Sequence, residues 1–231
     1  MNELALVLER LDRINLHDQV LSSWRTKLDH GRLQSINLSR LNLETLRDNT
    51  FADCDDLESI ILAHNHLREI PASLFTELPN LKYLWLHNNH IKSIRTEFQD
   101  LQQLEWLYLN NNQISTVAED CFKGTEQLQD LRLNKNPIES YPEKIVAELP
   151  YLIIFASHHC QLSSLPDDLF SKNSYLERIY LQDNRLTKLP QSIFNLNRLE
   201  KIWLSGNPLA VNIEDPLTKA DLQSWYQSQH N

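Results

Sequence analysis

The amino-acid sequence predicts an α/β repeat solenoid, a coil in which short strands of successive repeats form one parallel sheet. The first observation is a pattern, Leu-x-x-Leu-x-Leu-x-x-Asn-x-Leu, that recurs through residues 33–209. The second is the spacing of its copies, which is 24, 24, 23, 24, 24, 24 and 23 residues. A repeat of this length buries its apolar residues only by stacking on its neighbours. The eight copies start at Leu33, Leu57, Leu81, Leu104, Leu128, Leu152, Leu176 and Leu199.

Each repeat is expected to contain one short strand, with positions counted from its first Leu. Residues 4 and 6 point to one side of the strand and residues 3, 5 and 7 to the other, so one side is core and the other is open. An Asn at position 9 can satisfy backbone groups where the chain leaves the strand. Leu41 and Cys160 depart from this rule in the first and sixth copies, although Cys160 still offers a weak S–H donor. The other copies carry Asn65, Asn89, Asn112, Asn136, Asn184 and Asn207.

The second half of each repeat also recurs, with an apolar residue, often Pro, followed by Leu-Phe or Ile-Phe. Because a solenoid buries each repeat's apolar edge against the next, these rings are expected to stack into a spine behind the sheet. The Phe residues are Phe51, Phe75, Phe98, Phe122, Phe170 and Phe194.

Two segments, LESIILAHNHL from Leu57 and LEWLYLNNNQI from Leu104, resemble the leucine-rich-repeat family of the typical 24-residue class. The resemblance extends over roughly three quarters of the chain. It implies a curved right-handed coil with a concave parallel sheet of about eight strands and irregular or 3₁₀ turns outside.

The repeats divide the chain into an N-terminal helical cap at 1–32, the repeats at 33–209 and a C-terminal helical cap at 210–231. Leu4, Leu8 and Leu11 have helical spacing, and the segment is expected to cover the first repeat. A partner-binding or membrane-surface helix is the alternative, but its apolar face is narrow and its cations are few.

At the C-terminal end, Asp215 and Pro216 form a helix-start signal, an acceptor side chain followed by Pro at the first helical position. Leu217, Leu222 and Trp225 are then expected to cover the last repeat. Open solenoids need such caps because an exposed terminal strand invites aggregation.

Length and composition bound the class of protein. The 231 residues leave no room for a folded catalytic domain beside the repeats. No secretory signal or membrane-spanning run is visible, so membrane insertion is not expected. The odd count of cysteines, without flanking Cys-rich caps, predicts thiols in a reducing compartment. We expect a cytoplasmic monomer, or a protein that reaches a host cytosol by a non-classical route. The cysteines are Cys54, Cys121 and Cys160.

Aromatic and arginine residues at open positions 3 and 5 of the strands are the candidate binding site. Trp, Tyr and Arg are enriched at interface hot spots, and three adjacent strands would bring most of them into one patch. The alternative is that outward aromatic residues only stiffen the sheet. The predicted partner-binding residues are Tyr83, Trp85, Trp106, Tyr108, Arg132, Arg178, Tyr180 and Trp203.

Charge favours a protein as the partner. The chain carries a net charge of −9, yet positions 2, 3, 5, 7 and 8 hold six cations and six anions. A nucleic-acid site needs a basic stripe, so nucleic acid is not expected. The cations are Arg40, Lys82, Arg132, Lys135, Arg178 and Lys201, and the anions are Glu58, Glu105, Asp130, Glu177, Asp183 and Glu200.

Histidines near the turns do not have the spacing of four convergent ligands, so neither a metal nor another cofactor is predicted. They are instead surface residues, with a pH-sensitive contact as an alternative. Cys160 beside His158 and His159 is the enzyme alternative, but a reactive Cys needs a base held by a third group. The other histidines are His64, His66, His87 and His90.

The resulting functional hypothesis is a non-catalytic protein-interaction module. Repeats with few glycines and many Asn, Gln and His, without a signal or Cys-rich caps, resemble small leucine-rich-repeat effectors that intracellular bacteria inject into host cells. The alternatives are a cytosolic adaptor or regulatory subunit for an endogenous enzyme and, third, an enzyme. The sequence does not name the partner, because one scaffold hosts unrelated functions.

Overall fold

The computed structural model describes residues 3–11, 25–209 and 215–230. Within them, nine strands form a sheet in the order β1-β2-β3-β4-β6-β8-β9-β10-β11. Every neighbouring pair is parallel except β1 and β2. The predicted solenoid with eight parallel strands is thereby confirmed. The strands are β1 (Thr26–Asp29), β2 (Arg32–Asn37), β3 (Ser59–Ile61), β4 (Tyr83–Trp85), β5 (Ser93–Ile94), β6 (Trp106–Tyr108), β7 (Thr116–Val117), β8 (Asp130–Arg132), β9 (Ile154–Ala156), β10 (Arg178–Tyr180) and β11 (Lys201–Trp203).

Strand β1 was not predicted from the sequence. It adds to β2 as an antiparallel edge strand, although Lys27, Leu28 and Asp29 are exposed and show no alternation of burial. Helix α1 (Glu3–Arg10) lies at the same end and buries Leu4 and Val7 against the first repeat. The N-terminal end is therefore part helix and part strand.

The outer side of the coil is mostly irregular, as predicted. Within the described residues it holds the short parallel pair β5 and β7 and one 3₁₀ helix, Gln191–Asn195. Short turns here let each repeat return to the sheet within 23 or 24 residues.

The Phe spine is continuous over four repeats and then changes. The rings of Phe51, Phe75, Phe98 and Phe122 stack with centroids 6.2–6.4 Å apart. Val146 takes the corresponding position in the fifth repeat, and Phe170 packs instead on the position-4 ring of Phe155, 5.5 Å away. Phe194 is only half-buried, and its ring lies 4.3 Å from that of Tyr226 in the C-terminal helix.

The position-9 asparagines form the predicted ladder of buried hydrogen bonds. Asn89 Oδ1 accepts from the Leu67 backbone N–H at 3.1 Å, and its Nδ2 donates to the carbonyls of Leu62 and Leu86 at 3.0 and 2.9 Å. Asn65 Oδ1 accepts in the same way from the Leu43 N–H at 3.1 Å, and it also accepts from the N–H of Leu41 at 3.0 Å. Each Asn thus ties its own turn to the turn of the preceding repeat.

The sixth repeat departs from the pattern at several coordinated positions. Ser157 replaces the position-6 Leu, and its hydroxyl lies 2.7 Å from that of buried Tyr141, whose ring contacts Phe155. Cys160 Sγ donates to the Leu133 carbonyl at 3.6 Å, so the predicted S–H donor is confirmed. The Tyr141 side chain thus lies against the position where other repeats carry a Leu and this repeat carries the smaller Ser157.

Position 8 adopts the left-handed conformation in every repeat. Most of these residues are not Gly, and such backbone angles cost about 1 kcal/mol each for an L-residue. The turn is kept because the position-9 Asn and cross-repeat hydrogen bonds fix the chain on both sides. The residues are Arg40, His64, Asn88, Asn111, Lys135, His159, Asp183 and Gly206, with φ between 50° and 70°.

The predicted helix start at Asp215 and Pro216 is wrong. The second helix, α2 (Lys219–His230), begins after Thr218, which exchanges hydrogen bonds with Asp221 as an N-cap pair. Asp215 instead accepts from the backbone N–H groups of Leu204 and Ser205 at 2.7 and 2.8 Å. Its carboxylate therefore provides the hydrogen-bond acceptor for two backbone N–H groups of the last repeat.

The apolar residues predicted to cover the last repeat do so. Leu222 is buried, and Leu217 and Trp225 are partly buried against the core. Leu217 also pairs with Ile202 of β11 as an antiparallel bridge. Neither described helix has the length and apolar character needed to cross a bilayer.

Candidate functional site

The register of the sheet brings the predicted aromatic residues side by side. Tyr83 pairs with Trp106, and Trp85 pairs with Tyr108, across strands β4 and β6. Arg132 on β8 follows Tyr108 in the same column. These five residues, hereafter the aromatic cluster, lie on the open side because position-4 and position-6 residues fill the core.

The rings of the aromatic cluster are in mutual contact. The centre of the Trp106 ring lies 5.0 Å from that of Tyr83 and 6.5 Å from that of Trp85, and both contacts are edge to face. The Trp106 and Tyr108 rings are parallel, with their centres 6.3 Å apart. Arg132 places its guanidinium 4.4 Å from the centre of the Tyr108 ring, a cation–π contact. Trp106 remains 39% exposed, so its ring is available to a partner.

A buried carboxylate holds one end of the cluster in place. Asp130 is only 6% exposed, accepts from the Tyr108 hydroxyl at 2.9 Å and binds Arg132 through both of its oxygens. Burial and the Asp130 charge raise the pKa of Tyr108 to about 12, and the hydrogen bond to Asp130 raises the pKa of Arg132. The sequence analysis counted Asp130 among the anions of the open face. In the structure its carboxylate is buried, paired with Arg132 and hydrogen-bonded to Tyr108.

The other predicted residues form a separate group on β10 and β11. Tyr180 and Trp203 stack face to face, 4.1 Å apart with 13° between their planes. Arg178 is exposed and lies 3.9 Å from Glu200. The eight predicted residues therefore lie in two groups, as their places in the repeats predict.

A depression separates the two groups, and the sequence did not predict it. Position 5 of the sixth repeat is Ala156, whereas the neighbouring repeats have Arg132 and Tyr180 there. The missing side chain leaves a cavity of about 340 Å³ on the open face. It is lined by Asn110, Arg132, Asn134, Ile154, Ala156, His158 and Tyr180.

A further aromatic column was also missed. Tyr151 and Tyr175 precede the first Leu of their repeats, are 43% and 37% exposed, and lie 5.5 Å apart. Arg198 covers the Tyr175 ring at 4.2 Å. The signal was an aromatic residue at the same place in two consecutive repeats.

The histidines contact each other in pairs along the turns. His66 Nδ1 lies 3.4 Å from His90 Nε2, and His64 meets His87 edge to face at 5.4 Å. Among the residues that the structure describes, no three His, Cys, Asp or Glu side chains converge as metal ligands do. Burial is the main cause that lowers the pKa of His87, and the charges of His64 and Arg132 are smaller causes.

Cys160 is a structural thiol. Its side chain is buried, and burial raises its pKa, so the thiol form predominates. A protonated thiol is a poor nucleophile.

The fold agrees with solved structures. A leucine-rich-repeat protein of Leptospira interrogans, LIC12759, superposes with a TM-score of 0.71 at 26% identity, covering 78% of this chain and 44% of its own. TLR13, in its complex with ssRNA13, gives a TM-score of 0.63 at 25% identity over 69% of this chain and 23% of its own. The chain thus spans less than half the length of either protein. No protein of curated function has a significantly similar sequence.

The leucine rich repeat family model matches residues 31–91, 55–114, 86–138 and 158–209, which is more than half of the chain. The interval 139–157, between two of the matches, contains Tyr141 of the fifth repeat and Phe155 and Ser157 of the sixth, which contact one another. The repeat pattern, the parallel sheet and these matches show that the chain belongs to the leucine-rich-repeat family.

Proposed function

We propose that the protein is a non-catalytic interaction module that binds a protein partner through the open face of its sheet. The observation that carries this proposal is the aromatic cluster, in which four rings and one guanidinium on three adjacent strands form a continuous surface. Such contiguous aromatic surface on a protein usually marks a binding site. Tyr180, Trp203 and Arg178 extend the proposed surface toward the C-terminal end.

The anchoring of the cluster supports binding over a purely structural role. Asp130 fixes Tyr108 and Arg132 before any partner arrives, so less rotamer entropy is lost on association. Rings that only stiffened the sheet would need no exposed member, yet Trp106 is exposed. Structural stiffening is the alternative, and a capture experiment with cluster variants separates the two.

A protein is a better match than a nucleic acid for this surface. The open face has balanced charge, and two of its ionic groups, Asp130 and Arg132, already neutralise each other. Phosphate groups would require several free cations along one path. The ssRNA13 belongs to the TLR13 complex. For this chain, the equal numbers of cations and anions on the open face favour a protein partner of mixed charge.

The proposal extends to the compartment in which the protein acts. We place the protein as a monomer in a reducing cytosol, because its three cysteines are buried, unpaired thiols. In that setting it acts as an injected bacterial effector on a host protein, an assignment supported by its composition. An adaptor for an enzyme of its own cytosol is the second candidate.

We also propose that the two ends act as caps rather than as partner-binding elements. Glu3 of α1 accepts from the Leu33 N–H at 2.6 Å, and Arg10 pairs with Asp53 at 2.8 Å. Asp215 and Leu217 occupy the edge of the last strand. These contacts use the polar and apolar groups that a partner would otherwise need.

Affinity capture with quantitative mass spectrometry tests the proposal. The wild-type protein is presented to host cytosol and to cytosol of its source organism beside a Trp85→Ala, Trp106→Ala, Tyr108→Ala variant. A Tyr151→Ala, Tyr175→Ala variant is the matched control, because it removes exposed rings outside the cluster.

We expect one protein to be enriched by the wild type and the control and lost with the triple variant. Enrichment from host cytosol favours the effector role, and enrichment from native cytosol favours the adaptor role. Circular dichroism must show that the triple variant is folded. If a folded triple variant retains the same protein, the cluster is structural.

A further inference from the structure

The depression at Ala156 has two flat walls. Along the position-5 column, Arg132 stands on one side of Ala156 and Tyr180 on the other, each one strand away. Neighbouring strands lie about 4.8 Å apart, so the walls are separated by roughly two strand spacings. That separation leaves room for one planar group between a guanidinium and an aromatic ring. Ala156 and Ile154 form an apolar floor.

One end of the depression is polar and unsatisfied. Asn134 lines this end, and within the described residues no hydrogen bond fixes its side-chain amide. Asn110 lies beside it, one strand away at the same position of the repeat. His158 Nδ1 is unpaired within the described residues but sealed from solvent, as are His87 Nδ1 and Gln182 Oε1 at the same position of other repeats. The amides of Asn110 and Asn134 therefore remain as the hydrogen-bonding groups that this end of the depression offers to a guest.

The depression is electrically neutral. Arg132 is already bound to Asp130. Burial is the main cause that lowers the pKa of His158 to about 4, and the charges of His159 and Lys135 are smaller causes. The imidazole is therefore uncharged at pH 7. A carboxylate guest would find no free cation on these walls, and an ammonium guest would find no free anion.

We propose that this depression, the Ala156 pocket, binds the phenol group of a tyrosine side chain presented by the protein partner. The ring stacks between Arg132 and Tyr180, and the hydroxyl, which both donates and accepts, meets the amides of Asn110 and Asn134. The inference rests on the proposed function, since it names one anchor residue of that partner. A purine is also planar and neutral, but its attached phosphates would need cations that the face does not leave free.

The test uses p-cresol, the side chain of tyrosine, as the probe of the whole protein. Chemical shifts of the backbone and of the Asn side-chain amides are followed by NMR during titration with p-cresol, with toluene and with adenosine. Ala156→Leu fills the pocket, and the fold tolerates it because the same position holds Ile61 and Trp85 in other repeats. Ala72→Leu, an exposed site on the outer side, is the matched control.

We expect saturable shifts at Ala156, Asn110 and Asn134 with p-cresol, at a dissociation constant on the order of 1 mM for so small a molecule. Toluene should bind roughly three- to tenfold more weakly because it lacks the hydroxyl. Ala72→Leu should bind p-cresol like the wild type, and Ala156→Leu should show no saturable shift at these residues.

Absence of saturation, equal binding by Ala156→Leu, equal affinity for toluene or tighter binding of adenosine would each overturn the pocket assignment. The captured partner separates the two proposals. If it is lost with the triple variant but retained by Ala156→Leu, the face binds protein and the pocket inference is wrong. If p-cresol binds as expected but the partner survives the triple variant, the proposed function of the aromatic cluster fails instead.

Discussion

Replacing Asn89 with Ala should destabilise the protein far more than the same change at an exposed Asn. Asn89 is 5% exposed and makes four hydrogen bonds to backbone groups of two repeats, of which the bond to the His87 carbonyl is the longest at 3.5 Å. The substitution leaves the Leu67 N–H unpaired, whereas the carbonyls of Leu62 and Leu86 each keep a bond from Asn65 and Asn112, respectively. The unpaired buried N–H costs about 1–3 kcal/mol, and each of the two lost bonds to the carbonyls costs about 0.5–1.5 kcal/mol. We expect a loss of about 3–5 kcal/mol in the free energy of unfolding.

Urea unfolding, followed by circular dichroism and by tryptophan fluorescence, measures this loss. Asn80→Ala is the matched control, because Asn80 is exposed and its side chain donates one bond to the Asp55 carbonyl. Its effect should stay within about 0.5 kcal/mol. Hydrogen exchange should also show lost protection of the Leu67 amide. A loss for Asn89→Ala within about 1 kcal/mol of the control would refute the reasoning on the ladder.

Two further predictions concern position 8 and pH. Lys135→Asn should raise the free energy of unfolding by about 0.5–1 kcal/mol, because Asn tolerates the left-handed backbone of this turn better than Lys does. Lys92→Asn, exposed and outside the set of left-handed residues, should show no such gain, and a destabilised Lys135→Asn would contradict the argument. The second prediction follows from the lowered pKa of His158: between pH 6.5 and 4 the unfolded chain binds a proton there that the folded chain does not, so stability falls as pH falls. After discounting for partial exposure, lowering the pH from 7.5 to 5 should cost the wild type about 1 kcal/mol more than His158→Gln, measured by urea unfolding at both pH values, and equal losses would disprove it.

The features that recur in every repeat could be predicted from the sequence. The contacts that depend on residues found in only one or two repeats could not. The spacing of Leu and Asn predicts the strands, the core side and the ladder, because each repeat obeys the same constraints. The same pattern places Tyr83 and Trp106 on adjacent strands. By contrast, the burial of Asp130 depends on two particular neighbours, Tyr108 and Arg132, which both bind it.

The ends and the sixth repeat show why the remainder was missed. Asp215 followed by Pro216 has the composition of a helix start, but two unpaired N–H groups of the last repeat take its carboxylate instead. The Ala156 pocket arises from a missing side chain beside two large ones, and its depth is visible only when the strands are aligned. Tyr141 and Ser157 compensate for each other across a repeat boundary, a relation that no single repeat reveals.

Fluorine NMR of the protein labelled with 5-fluorotryptophan tests the central claim most directly. The captured partner is titrated into the labelled protein, and single substitutions assign the resonances. Binding through the open face predicts that the Trp85 and Trp106 resonances shift or broaden in proportion to the bound fraction, while Trp225 in α2 is unchanged. If Trp225 responds and the resonances of Trp85 and Trp106 stay fixed at saturation, the partner binds the C-terminal end and the account of the aromatic cluster is contradicted.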